Sequence, residues 1–392
     1  MPITDGKYVN PGWRNKMAPA IAQQELQDLC DTLEDALWPE LFVTLADTGT
    51  TVTATKGSTT VTLTETDGVW SGVLDSFGTW TVSGTRGGSQ TTTVVNVSTV
   101  KQYEVSLISP VLDLNNWSDI SAVSQDGVAG SYWSVGDTKS VVINGTIGTQ
   151  SIDTTLYAYI IGINHGGING VTFQGFKTAQ TDGTDVCLDD SHYTSSSSDG
   201  SKWFNMNHWG SYNYGGWKGC DLRYDILGST DVAPSGYGAA VVSGSRVGYD
   251  ATSTAATNPV VNTFMAALPS ELRAVMRPMT VYTDNYSGSP HNTESYVTAS
   301  VDYLPLLAEF EIFGARTYAN QYEQDNQTQY AYYSSGNSKV KYRHSSTGST
   351  ANWWERSPFY NGAAGFCLVS PNGGAYADDS HRSFGVAPAF MV

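Results

Sequence analysis

Charge is the scarcest property of this chain. Of 392 residues only 15% are Asp, Glu, Lys or Arg, against roughly 25% in an average globular protein. The positive sign is scarcer still, with 20 Lys and Arg against 37 Asp and Glu, a net charge of −17. A nucleic-acid ligand needs a positive footprint, so this composition excludes one as an expected partner. No apolar run is long enough to span a bilayer, so no membrane insertion is expected. The first ten residues, M-P-I-T-D-G-K-Y-V-N, lack the apolar segment of a secretory signal. Cysteine is sparse as well: Cys30, Cys187, Cys220 and Cys367 are widely spaced, with no C-x-x-C. That spacing suggests neither a zinc site nor a disulfide framework and is read as buried free thiols in a protein made in a reducing cytoplasm. H-E-x-x-H, G-x-S-x-G and phosphate-loop motifs are missing too, and no catalytic residue, metal or cofactor is assigned.

What replaces charge is Thr, Ser, Asn, 40 Gly and 23 Tyr. Thr and Tyr favour strands, and Gly and Asn favour turns. The expected fold class is mainly β with an α+β part. Three regions are expected. Within residues 1–39, Leu26, Leu29, Cys30, Leu33 and Leu37 recur at helical spacing behind Pro19, which predicts a helix from about Ala20 to Trp38 with one apolar stripe. A single amphipathic helix must bury that stripe on something, so attachment or self-association is expected there. Residues 40–105 alternate at period two, as in T-V-T-A-T, T-V-T-L-T and T-W-T-V, between turn signals such as Asp67-Gly68 and Gly87-Gly88. That pattern predicts a β-sandwich with Phe77 and Trp80 in its core. Residues 110–392 form the third region.

The third region carries four ordered boxes: Gly215-Gly216-Trp217-Lys218-Gly219-Cys220-Asp221-Leu222-Arg223, then Leu268-Pro269-Ser270-Glu271-Leu272, then Asp302 to Gly314, and a C-terminal stretch opening on Trp353-Trp354-Glu355-Arg356-Ser357-Pro358 and closing on Gly385-Val386-Ala387-Pro388-Ala389-Phe390. Together they resemble a C-terminal domain family of tailed phages and Gram-positive surface proteins, marked by W-x-R-S-P and a terminal G-V-x-P-A-F. Cys220 stands where that family usually has Ser. The resemblance implies a C-type-lectin-like domain of the kind shared with formylglycine-generating enzymes. Those enzymes hold copper with a close cysteine pair, and Cys367 has no cysteine near it in sequence. The F-G-T-W-T-V segment at residues 77–82 likewise resembles the late strand of phage immunoglobulin-like modules.

By this resemblance the chain is a phage virion adhesin, a tail fibre or tail-tip receptor-binding protein. It would engage other virion proteins through its N-terminus and a host cell-surface saccharide or protein through its C-terminal domain. A homotrimer is implied, and localisation to a virion released by lysis. The alternative is a structural or decorative virion protein such as a head fibre or capsid spike. The expected ligand-binding residues are Phe359, Tyr360, Asn361, Tyr376, Asp378, Asp379, His381 and Arg382, because two loops of aromatic and polar residues follow the W-x-R-S-P box and the glycine turn. Tyr330, Tyr332 and Tyr333 are expected to add to this rim, and the polar stretch Asp189 to Lys202 is the next candidate. Trp353, Trp354, Arg356 and Phe390 are read as structural.

Overall fold

The computed structural model describes residues 3–4, 7–8, 38–190, 204–207, 212–235, 245, 255–289 and 291–392. The expected N-terminal helix falls almost wholly outside them; Ile3–Thr4 and Lys7–Tyr8 pair as a short antiparallel ribbon. The chain is mainly β, with short helices between several sheets. It divides into two compact units, Met1–Asn115 and Asn116–Val392.

Beyond that ribbon, the described residues of the first unit form eight strands: β1 (Glu40–Thr44), β2 (Thr53–Lys56), β3 (Thr59–Thr62), β4 (Thr64–Thr66), β5 (Val69–Val73), β6 (Gly78–Arg86), β7 (Ser89–Val97) and β8 (Gln102–Ser106). They form two four-stranded sheets, ordered β8-β1-β5-β4 and β3-β2-β6-β7. Alternation decides which side chains meet: in β6, Trp80 and Val82 are fully buried while Thr79 and Thr81 face out. Leu41, Val43, Val52, Ala54, Trp70, Trp80 and Val82 from both sheets make one core. The β4–β5 hairpin turns on Asp67 and Gly68, both at positive φ (51° and 79°), the conformation that a two-residue Asp-Gly turn supplies. Phe77 departs from expectation. It is 45% exposed and lies against Trp38 at 6.4 Å, because it sits in the loop before β6 rather than at an inward position. The unit continues beyond β8: Leu107 enters the core, and Asn115 donates to the carbonyls of Ser109, Val111 and Leu112.

The second unit is built on a four-stranded antiparallel sheet of β9 (Thr138–Ile147), β10 (Gln150–Ile163), β11 (Val171–Lys177) and β20 (Ala389–Met391). The last strand brings Phe390 opposite Phe173, stacked at 5.2 Å. Trp117, from the helix Trp117–Gln125, packs edge-on to both rings. Smaller sheets join β12 (Val186–Cys187) with β15 (Lys341–Arg343) and β16 (Ser346–Ala351), β13 (Met279–Asp284) with β14 (Val297–Asp302), and β17 (Trp353–Pro358) with β18 (Gly365–Val369) and β19 (Ala375–Asp379).

The sequence boxes converge inside this unit. Trp217 Nε1 donates to Asp302 Oδ2 at 2.9 Å, and Arg223 Nε donates to Asp302 Oδ1 at 2.7 Å. Arg356 holds Glu311 in a bidentate pair at 2.6 and 2.7 Å and also donates to the Leu306 carbonyl. Such two-pronged pairs fix direction as well as distance. Trp217, Trp353 and Phe390 are each at most 1% exposed, so the structural roles expected of Trp353, Arg356 and Phe390 match their surroundings. Gly385 is required where it stands, since a side chain there would meet Cys187 Sγ at 2.1 Å. From Leu304 to Ala308 the chain has no regular structure, then it is helical over Glu309–Phe313, ending on Gly314 at φ 66°.

Candidate functional site

Strands β17, β18 and β19 run antiparallel, with Pro358 opposite Phe366 and Gly365 opposite Asp379. That register places the turn 359–364 and the segment Asp378–Arg382 at one end of the sheet. The glycine turn at 370–374 lies at the other end. Two of the expected site segments therefore lie side by side, while Tyr376 stands further along β19.

Asn213 organises the turn. Its side chain is fully buried, and its Nδ2 lies within 3.2, 2.8 and 2.7 Å of the carbonyls of Phe359, Gly362 and Gly365. Its own backbone N–H donates to the Ala363 carbonyl. Ser380 N–H donates to the Ala364 carbonyl, and Ser380 Oγ donates to the Tyr212 carbonyl at 2.8 Å. The loop ends are thus held by buried side chain to backbone bonds, which leaves the intervening side chains to the surface.

On that support the aromatic rings form a chain of contacts. Tyr318 lies 5.8 Å from Phe359 and 6.3 Å from Tyr376, and Phe359 lies 5.9 Å from Tyr360. Edge-on geometry of this kind is favoured between aromatic rings. The Arg316 guanidinium sits 5.0 Å over the Tyr360 ring. Tyr376 is 50% exposed, Asn361 is exposed, and Phe359, Tyr360, Asp378, Asp379, His381 and Arg382 are half-buried. Arg382 Nε donates to Asp378 Oδ1 at 2.8 Å, so these two charges neutralise each other at the rim.

Tyr318 is the residue that sequence reasoning missed. It lies between the third and fourth boxes, and nothing local marks it. Two contacts draw it in: the Tyr360 N–H donates to the Tyr318 carbonyl at 2.9 Å, and the fully buried Glu309 carboxylate accepts the N–H groups of Tyr318 and Ala319 at 2.9 and 2.8 Å. The only earlier signal is the Glu at the start of the short helix.

Other expectations fail on burial. Tyr330, Tyr332 and Tyr333 are 3%, 4% and 2% exposed, packed with Tyr159, Trp353 and Val369, so they add nothing to the rim. Asp189 and Asp190 are buried too, while residues 191–203 lie outside the described residues. Asp189 accepts from Arg343 Nε at 3.0 Å, Ser345 Oγ and Ser345 N–H, and lies 2.7 Å from His344 Nδ1. Burial disfavours its charge, but the hydrogen bonds from His344 and Ser345 prevail and hold its carboxyl down at about 2. Cys187, Cys220 and Cys367 are buried free thiols. Burial pushes Cys187 up to about 12 and the other two upward as well, away from reactive thiolate. Among the described residues no three His, Cys, Asp or Glu side chains gather as a metal site requires.

No curated protein and no solved structure matches the chain. Residues 188–392 match the family described as "Domain of unknown function (DUF6273)". The matched segment contains all four boxes, Tyr318, and every residue of the aromatic face. It makes up more than half of the 392 residues, and the chain therefore belongs to the DUF6273 family.

Proposed function

We propose that this protein is a phage virion adhesin whose C-terminal, C-type-lectin-like unit binds a host cell-surface saccharide or protein. The face around Tyr318, Phe359, Tyr360 and Tyr376 is the contact surface, flanked by Asn361, Asp378, Asp379, His381 and Arg382. The observation that carries this reading is the contrast between the rings and their support. Four aromatic side chains stand in contact, three on loops and Tyr376 on β19, while the turn that carries Phe359 and Tyr360 is tied down by the buried Asn213. Aromatic and small polar groups on a rigid frame give contact area at low entropic cost. In the same proposal the N-terminal segment attaches to the particle and joins a homotrimer, the sandwich at 40–105 is an immunoglobulin-like spacer, and the weak single sites gain by multivalency.

The test is adsorption of particles carrying substitutions in the face. Tyr318→Ala, and Tyr360→Ala with Tyr376→Ala, should lower adsorption to host cells by about tenfold or more, the equivalent of about 1.4 kcal/mol. The melting temperature of the double variant should stay near that of the parent, since exposed substitutions usually act within about 0.5 kcal/mol. Normal adsorption by both variants overturns the reading and leaves a structural or decorative role on the virion.

A further inference from the structure

The second unit buries four glutamates close to one arginine. Glu309 is 0%, Glu323 1%, Glu311 7% and Glu355 0% exposed. Three of them have donors. Glu309 takes the Tyr318 and Ala319 N–H groups. Glu311 takes the Arg356 guanidinium. Glu323 takes Asp284 N–H at 2.8 Å and Ser357 Oγ at 2.6 Å. Glu355 is different: neither carboxylate oxygen has a hydrogen-bond partner among the described residues. It lies where β17 departs from regular register against β18, between Trp354 and Pro358. Its neighbour Arg356 gives its two terminal nitrogens to Glu311 and the Leu306 carbonyl, and its Nε has no hydrogen-bond partner among the described residues.

We infer that Glu355 is a neutral carboxylic acid in the folded protein, and that the fold weakens as rising pH removes its proton. A charge without a partner in the interior neutralises rather than persists. The groups acting on it are Glu309 and Glu311 from the helix Glu309–Phe313, Glu323 from the turn Gln321–Asn326, Arg356 beside it, and the Cys367 thiol from β18. Burial is the main force lifting its carboxyl well above the ordinary range, Glu309, Glu323 and Glu311 add to it, and Arg356 opposes. The folded state then holds a proton that the unfolded chain releases near pH 4.3, the ordinary glutamate value of about 4.3. Stability is therefore highest below that value and declines as pH climbs toward the folded value. Glu323, pushed up to about 8 mainly by burial, contributes with the same sign.

The position has a consequence for the aromatic face. Glu309, one of the carboxylates facing Glu355, is the group that holds the Tyr318 backbone. Ionising Glu355 sets a negative charge near that hold, so the amides of Tyr318 and Ala319 are the ones that report it.

The experiment is thermal unfolding of the full chain at pH 5, 7 and 9, with infrared detection of protonated carboxyl groups. Glu355→Gln keeps the shape and removes the titration. It should melt near the parent at pH 5 and above it at pH 9, by a few degrees, the order expected for one titrating group. Part of the protonated-carboxyl band of the parent at pH 7 should vanish in the variant, and Glu323 contributes to what remains. Hydrogen exchange at Tyr318 and Ala319 should quicken with pH beyond its intrinsic rate in the parent and not in the variant. Glu355→Met, which also removes the charge, should show the same flattened profile. A parent-to-variant difference that is the same at every pH, an unchanged infrared band, or failure of both variants to fold at pH 5 overturns the inference.

Discussion

Strand β6 of the sandwich buries Trp80 and Val82 and leaves Thr79 and Thr81 outside. Strand β17 of the second unit buries all six of its residues, Glu355 and Arg356 among them. The sandwich core is a cluster of hydrophobic side chains with Tyr103 at its edge, its hydroxyl bonded to Ser98 and Thr99. The interior of the second unit holds Arg223 on Asp302, Arg356 on Glu311, and Asp189 among Arg343, His344 and Ser345. Where strands are regular, backbone bonds satisfy the chain and the core needs only apolar contact. Where long irregular segments cross the interior, their backbone groups need side-chain partners. Buried acidic side chains and guanidinium groups supply them: Glu309 to Tyr318, Glu323 to Asp284 and Arg356 to Leu306. The lesson is that the buried acidic and basic side chains of the second unit act as fasteners for loops, the face-forming loops included.

Breaking a fastener should have the largest effect. Arg356→Ala removes a bidentate partner and leaves Glu311 buried with no ion-pair partner, only the Ala308 N–H as donor, which should cost roughly 3–5 kcal/mol. Denaturant unfolding measures it, and a loss below about 1 kcal/mol would mean that Glu311 finds another partner. In the sandwich, Leu41→Ala at a fully buried position should cost about 3 kcal/mol through lost contact and a cavity. That loss should be the same at pH 5 and pH 7, below the range in which Tyr103, the phenol of this core lowered to about 8, titrates. A strong pH dependence would erase the contrast between the two cores. Asp189→Asn should be the mildest, about 2 kcal/mol at neutral pH, the scale of hydrogen bonds to a charged group. The depressed carboxyl of Asp189 adds stability that is present above the unfolded value of about 3.9 and is lost as pH falls toward about 2. The parent should therefore converge on the variant in acid, as melting curves between pH 5 and pH 2 would show.

The sandwich was legible because period-two alternation and Asp-Gly turns are local statements. Each strand announces its own buried face, and only Phe77, in a loop, escaped. The boxes of the second unit were legible as motifs, and their tryptophans and Arg356 as structural, since large and bidentate side chains signal burial and pairing. The candidate face was half legible. Loop residues 359–361 and 378–382 could be read from their position after the boxes, and the antiparallel register of β17, β18 and β19 brings them together.

Composition and periodicity by themselves determined a mainly β, acidic chain, the alternation of the sandwich, and the residues that must be interior in the boxes. Tertiary structure alone decided that Tyr330, Tyr332 and Tyr333 are core rather than rim, that Tyr318 joins Phe359 to Tyr376, and that Glu355 is buried without a hydrogen-bond partner among the described residues. The physical reason is range. Alternation and turn chemistry act between residues a few positions apart, whereas a tyrosine's exposure or a carboxyl's charge depends on groups far along the chain. Glu323 and Glu355 are brought together by the folded interior, and no local pattern in the sequence records it.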